Sequence, residues 1–130
     1  MAKSLWRDEL VFAKWCLDCE IKHETLHQML EWHFEIAHDW KVRPGVLGRR
    51  LKELLPGNLW SELLSTYVGP DTNDNWAALF GTTALFRQVA REVGNALGFT
   101  YPQNVDDQVS AYLNAIQQLP PPASVSLQQP

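Results

Sequence analysis

The spacing of apolar residues confines this chain to helices. Trp76, Leu79, Phe80, Phe86, Ala90, Val93 and Leu97 recur with a helical period, as on a helix that buries one face. Strand-like alternation takes hold nowhere. Gly98 follows as a natural C-cap, and Asp71-Thr72-Asn73-Asp74-Asn75 precedes as a loop full of N-cap residues. The same period predicts a first helix from Leu5 to about Ile21, with Leu10, Ala13, Leu17 and Ile21 inward and Arg7, Lys14, Asp18 and Lys22 on the wetter side. A second stretch runs from about Glu24 to His38, and the two can form one bent helix because no strong breaker separates them. Val46, Leu47, Leu51, Leu54 and Leu55 predict a short amphipathic helix between Pro44-Gly45 and Pro56-Gly57. Leu59, Trp60, Leu63, Leu64 and Tyr67 predict another, ended by Gly69-Pro70. Val105, Val109, Tyr112, Leu113 and Ile116 carry a last one, with Asn104 and Asp107 as a capping pair. The expected fold is all-α, a bundle of five or six helices over residues 1–119. Pro120-Pro121-Pro122 closes it, and residues 120–130 are expected to be a disordered tail.

At 130 residues the chain is long enough for one domain with an ordinary core. A net charge of -4 argues against a nonspecific nucleic-acid binder, which needs a basic face. No apolar run is long enough to span a bilayer, and no basic-then-apolar start marks export. Cys16 and Cys19 sit close together in a helical pattern, which is no disulfide framework, so a reduced, cytoplasmic protein is expected. Six tryptophans, at 6, 15, 32, 40, 60 and 76, are assigned mostly to packing.

Three constellations invite chemistry. Cys16, Cys19, His23 and His27 share roughly one helical face, yet the run from 16 to 27 spans about 16 Å, too far for one tetrahedral metal site. Buried thiols and partly exposed imidazoles explain these residues better. Gly45-Val46-Leu47-Gly48-Arg49-Arg50 lacks the spacing of a phosphate-binding loop. It reads as a turn and a solvated basic face, or as arginines that meet phosphates. Trp6, Arg7, Asp8 and Glu9, with Lys3, form either an exposed helix end with local ion pairs or a binding face for a cationic ligand. No catalytic set is visible. Asp71, Asp74 and Asp106 fall at loop and cap positions that already explain them.

In order and spacing, several short stretches resemble the C-terminal helical domain of streptomycin (aminoglycoside 6-) adenylyltransferases. They begin with Ala2-Lys3-Ser4-Leu5-Trp6-Arg7-Asp8-Glu9-Leu10 and Phe12-Ala13-Lys14, and continue with Met29-Leu30-Glu31-Trp32-His33. Gly45, Gly48, Leu51, Leu54 and Leu55-Pro56 follow, then Trp60, Leu63, Leu64, Ser65-Thr66-Tyr67, Trp76, Leu79-Phe80, Leu85-Phe86-Arg87, Leu97-Gly98-Phe99 and Tyr101-Pro102. The likeness runs from Ala2 to about Leu119.

The resemblance implies a partner domain, a nucleotidyltransferase that binds ATP and Mg²⁺ and moves AMP from ATP to a drug hydroxyl. It implies that the helical domain supplies much of the aminoglycoside pocket. Trp6, Asp8 and Glu9 would face the polycationic drug, and Arg49, Arg50 or Tyr67 the nucleotide phosphates. The family commonly has a lysine near the glycines of the middle turn, where this chain has Arg49 after Gly48. The crowded opening segment reads as a helix cut from what preceded it. The chain is thus expected to be an excised domain, inactive alone, with no metal or cofactor of its own. The alternatives are a free-standing protein-interaction domain, able to dimerise through an exposed cleft face, and a decayed remnant without a ligand.

Overall fold

The computed structural model describes residues 1–123, and the last seven residues of the expected tail lie outside that range. Helix α1 spans Ala2–Trp6, and the chain turns at Arg7–Glu9. A long rod follows in three parts: α2, Leu10–Trp15; a π-helical segment, Cys16–Leu26; and α3, His27–Ala37. A 3-10 turn at Val46–Gly48 leads into α4, Leu51–Leu54, and α5, Gly57–Ser65. Helix α6, Thr72–Leu97, is the axis of the bundle, and α7, Gln103–Gln117, returns along it. With the rod taken as one, six helices and no strand occur among the described residues. The fold is all-α, as the periodicity predicts.

Helix α6 is bounded as its sequence dictates. The Asp71 side chain accepts from the Asp74 amide at 2.9 Å, the N-cap bond that satisfies an orphan donor. Gly98 takes the left-handed conformation at φ 79, and the Phe99 amide donates back to the Gly94 carbonyl at 2.8 Å. Two cores lie along this axis. Leu26, Leu30, Leu51, Leu55, Leu59, Leu63, Leu85, Val89 and Val93 join the rod, α4 and α5 to the outer half of α6. Ala2, Leu5, Ala13, Trp76, Leu79 and Leu113 join α1, α2 and α7 to its inner half. His33 Nε2 and Glu92 Oε2, 2.6 Å apart, tie α3 to α6.

Several expectations fail locally. The first helix is not continuous through Arg7, because Asp8 adopts φ 60 and ends α1. Beyond that corner the two expected helices do fuse, as the lack of a breaker allows. The π-helical segment widens the rod and shifts its facing, so Lys22 is turned inward and is only 2% exposed. Val46 and Leu47, expected on an apolar helix face, are exposed in the 3-10 turn. Asn104 and Asp107 do not cap α7. Pro102 holds the N-cap position, and Asp107 accepts from Gln103 instead. Of the six tryptophans only Trp76 is buried, while Trp15, Trp32 and Trp40 are exposed.

Candidate functional site

The corner between α1 and α2 carries the acidic candidates. The Asp8 amide donates to the Leu5 carbonyl and the Glu9 amide to that of Ser4, at 3.1 and 2.8 Å. These bonds hold Asp8 in a left-handed conformation that costs a non-glycine residue about 1 kcal/mol. Both carboxylates are exposed. They border a shallow depression shared with Leu10, Val11, Phe12 and Trp15. Phe12 and Trp15, one helical turn on, stack with ring centroids 6.1 Å apart and planes within 9°. Each ring is about half exposed. Two carboxylates beside a flat aromatic wall suit an extended organic cation. Trp6, expected in this group, is not on the depression's wall. Its indole Nε1 donates to the Pro120 carbonyl at 2.8 Å. Sequence reasoning passed over Phe12 and Trp15, although positions four and seven beyond Asp8 on a helix fall on the same face.

The basic candidates lie where the π-helical segment meets the 3-10 turn. A small pocket there is lined by Lys22, His23, His27, Leu30, Leu47, Leu51, Leu63 and Tyr67. The Lys22 ammonium reaches Asp18 Oδ1 at 2.6 Å, donates to the Thr66 carbonyl at 2.9 Å, and stands 3.7 Å from the centre of the Tyr67 ring. Burial pulls the Lys22 pKa down, against the pull of Asp18. Burial would push the Asp18 carboxyl up, but hydrogen bonds from Lys22 and Lys14 outweigh it and hold the group below its usual value. Burial raises the Tyr67 phenol, and the Asp18 charge adds to this. Tyr67 therefore stays protonated as a donor at neutral pH.

Arg49 and Arg50 do not line this pocket. Both are exposed, and Arg50 is turned toward Glu53 at 3.4 Å and the Arg43 carbonyl at 3.5 Å. Arg49 has no ion-pair partner among the described residues. Gly48 sits against the pocket at φ 71, where an added Cβ would lie 2.6 Å from His27 Nε2. His27 Nε2 is itself 3.3 Å from Glu31 Oε1 without completing a hydrogen bond. Cys16 is buried and Cys19 exposed. Among the described residues no three His, Cys, Asp or Glu side chains converge as metal ligands.

A third concavity was not foreseen from sequence. A groove of about 640 Å³ runs over α6 between α3 and α7, with Met29, Trp32, Trp40, Phe86, Leu97 and Val109 among its walls. Asp106 lies at its edge. It is buried within α7, not at a loop or cap as its residue type suggested. Arg87 grips both of its oxygens, Nη2 meeting Oδ1 at 2.6 Å, and the Tyr101 hydroxyl donates to Oδ2 at 3.0 Å. The carboxylate is thus fully engaged and offers nothing to a ligand.

The model of the streptomycin adenylyltransferase family matches residues 1–116. The chain belongs to that family. Among curated relatives, the aminoglycoside 6-adenylyltransferase of Bacillus subtilis is 31% identical over 116 residues, covering 89% of this chain and 40% of the relative. That of Campylobacter jejuni is 30% identical over 113 residues, covering 87% and 38%. The crystal structure of the Bacillus subtilis aminoglycoside 6-adenyltransferase superposes with a TM-score of 0.72 at 28% identity, over 91% of this chain and 44% of that one. The chain therefore spans about two fifths of the length of these relatives. Within the family chain, no helix among the described residues is long and apolar enough to cross a membrane.

Proposed function

We propose that this domain is the aminoglycoside-binding, helical part of an adenylyltransferase that moves AMP from ATP to a hydroxyl of a streptomycin-like drug. The observation that carries this reading is the acidic corner. Asp8 and Glu9 are held by a strained turn beside the stacked Phe12 and Trp15, and family membership supplies the drug class. Guanidinium groups pair with carboxylates and lie flat on aromatic rings. Trp6 borders this surface in sequence but is engaged with Pro120, so Asp8 and Glu9 are the primary drug contacts.

The pocket of Lys22, His23, His27 and Tyr67 would face nucleotide phosphates, with Arg49 as an unpaired guanidinium on the turn above and Arg50 able to leave Glu53. ATP and a divalent metal belong to the family's chemistry. Among the described residues no three side chains converge as metal ligands, and no chemical step is assigned to them. The whole enzyme would act in the cytoplasm, where ATP is found, and confer resistance.

Calorimetric titration of streptomycin into this chain tests the reading. Binding should weaken about tenfold when both Asp8→Asn and Glu9→Gln are introduced, the loss expected for charge-assisted contacts. It should also fall as salt screens the exposed carboxylates. No binding, or binding indifferent to both substitutions, sinks the proposal. The apolar groove favours a second role as a protein-contact face, including a homodimer. Light scattering across a concentration series that finds a strict monomer would dispose of the dimer.

A further inference from the structure

The bond between Trp6 and Pro120 joins residues 114 apart in sequence, and its acceptor lies beyond residue 116, where the family match ends. Helix α7 finishes at Gln117, and the amides of Gln118 and Leu119 close back onto the Asn114 and Ile116 carbonyls. The chain then leaves the helix and places the Pro120 carbonyl against the last residue of α1. Prolines 120 to 122 have fixed φ and no amide donor. Such a run prefers the extended polyproline conformation, in which carbonyls project outward unpaired. Binding modules that read such segments dock them against aromatic side chains. Here both halves of that contact are in one chain.

We infer that the Pro120 carbonyl, at the head of the proline run, is an intramolecular strap contact on Trp6 that fixes α1 and the Asp8 corner from the C-terminal end of α7. Helix α1 is only five residues long, too short to persist on its own. Ala2 and Leu5 pack in a core with Leu113 of α7, and the strap closes that same α1–α7 contact at its exposed edge. The Asp8 and Glu9 amides are bonded to α1 carbonyls, so whatever fixes α1 also fixes the backbone that carries the two carboxylates. The strap also commits the Trp6 indole donor, leaving Phe12 and Trp15 as the aromatic wall of the acidic depression.

Two variants test the strap: truncation after Leu119, and Trp6→Phe in the full chain, which keeps a ring and removes the donor. In nitrogen–proton spectra the indole signal absent from Trp6→Phe identifies Trp6. On truncation that signal should shift while the other five stay in place. Amide exchange at Asp8 and Glu9 should quicken about tenfold in both variants, the effect of losing one ordinary hydrogen bond. Exchange within α6 should be unchanged. A synthetic peptide with the sequence of residues 119–130, added to the truncated chain, should return the Trp6 signal toward its original position. A Trp6 signal unmoved by truncation would overturn the strap, whatever the chain binds. A further consequence, which rests on the aminoglycoside reading, is that truncation weakens streptomycin binding by about threefold through the loosened corner. The exchange data and the indole signal stand or fall without the drug. Failure of the strap is thereby separable from failure of the drug site.

Discussion

At the scale of single residues, the charges that matter most are those whose partners are distant in sequence. Asp106 sits 19 positions from Arg87, and no local spacing announces the pair. The Arg87 guanidinium, with the Tyr101 and Ser110 hydroxyls, holds the Asp106 carboxyl at about 2, below the usual value of 3.8, although burial works the other way. A carboxylate with a depressed folded-state pKa stabilises the fold above its unfolded value, and this contribution is lost as pH falls from about 4 through 2. Asp106→Asn should therefore lower unfolding stability at pH 7 by about 1–3 kcal/mol, since the Arg87 and Tyr101 donors lose a charged acceptor. Urea titrations should show the gap between the two proteins closing between pH 4 and pH 2. An undiminished gap at pH 2 would mean that the pair is not the source. Lys22 teaches the same lesson from the other side. Its type and its phase on an ideal α-helix both point to solvent, yet the Thr66 carbonyl and Asp18 receive it indoors.

At the scale of elements, helix existence was legible and helix junctions were not. The caps of α6, Asp71 and Gly98, follow from residue type because capping is a local interaction. The π-helical segment was invisible, because a wider helix shares the composition of a narrow one and differs only in which face its residues present. For the candidate site, Asp8 and Glu9 could be read from a dense acidic-aromatic opening. Phe12 and Trp15 were missed because aromatic residues in a helical pattern are assigned to packing, and residue type does not show that both rings stay half exposed. Two of the three positive-φ glycines, Gly48 and Gly98, separate backbone strain from packing. At Gly98 a Cβ would meet open space, whereas at Gly48 it would lie 2.6 Å from His27 Nε2 and 2.7 Å from Leu51 Cδ1. Gly98→Ala should cost about 1 kcal/mol, the left-handed penalty alone. Gly48→Ala should cost about 2–3 kcal/mol, because the 3-10 turn must also lift from the rod. Thermal melts of both variants compare them directly, and equal costs would show that the turn is not pressed against His27.

At the scale of the whole molecule, the long α6 serves two cores on its buried faces and leaves a third face open. Leu85, Val89 and Val93 point into the core shared with α3 to α5, while Phe86, Ala90 and Leu97 line the groove toward α7. Periodicity predicted apolar positions along this helix but could not say how many neighbours would come to cover them, because the number of stripes on a helix does not fix the number of partners. The six tryptophans read mostly as packing, yet Trp32 and Trp40 stand exposed at the groove wall. An apolar groove of this kind takes up apolar probes. The folded chain should accordingly enhance the fluorescence of the dye ANS at neutral pH while keeping its native near-ultraviolet dichroism, which separates groove binding from binding to a loosened core. Val109 is 45% exposed on the groove side of α7, so Val109→Glu can place a charge in the groove without burying it. That substitution should abolish most of the dye signal with a stability change within about 0.5 kcal/mol, as for other surface changes. Dye binding that survives Val109→Glu unchanged would locate the probe elsewhere, with the stacked Phe12 and Trp15 as the next apolar surface to substitute.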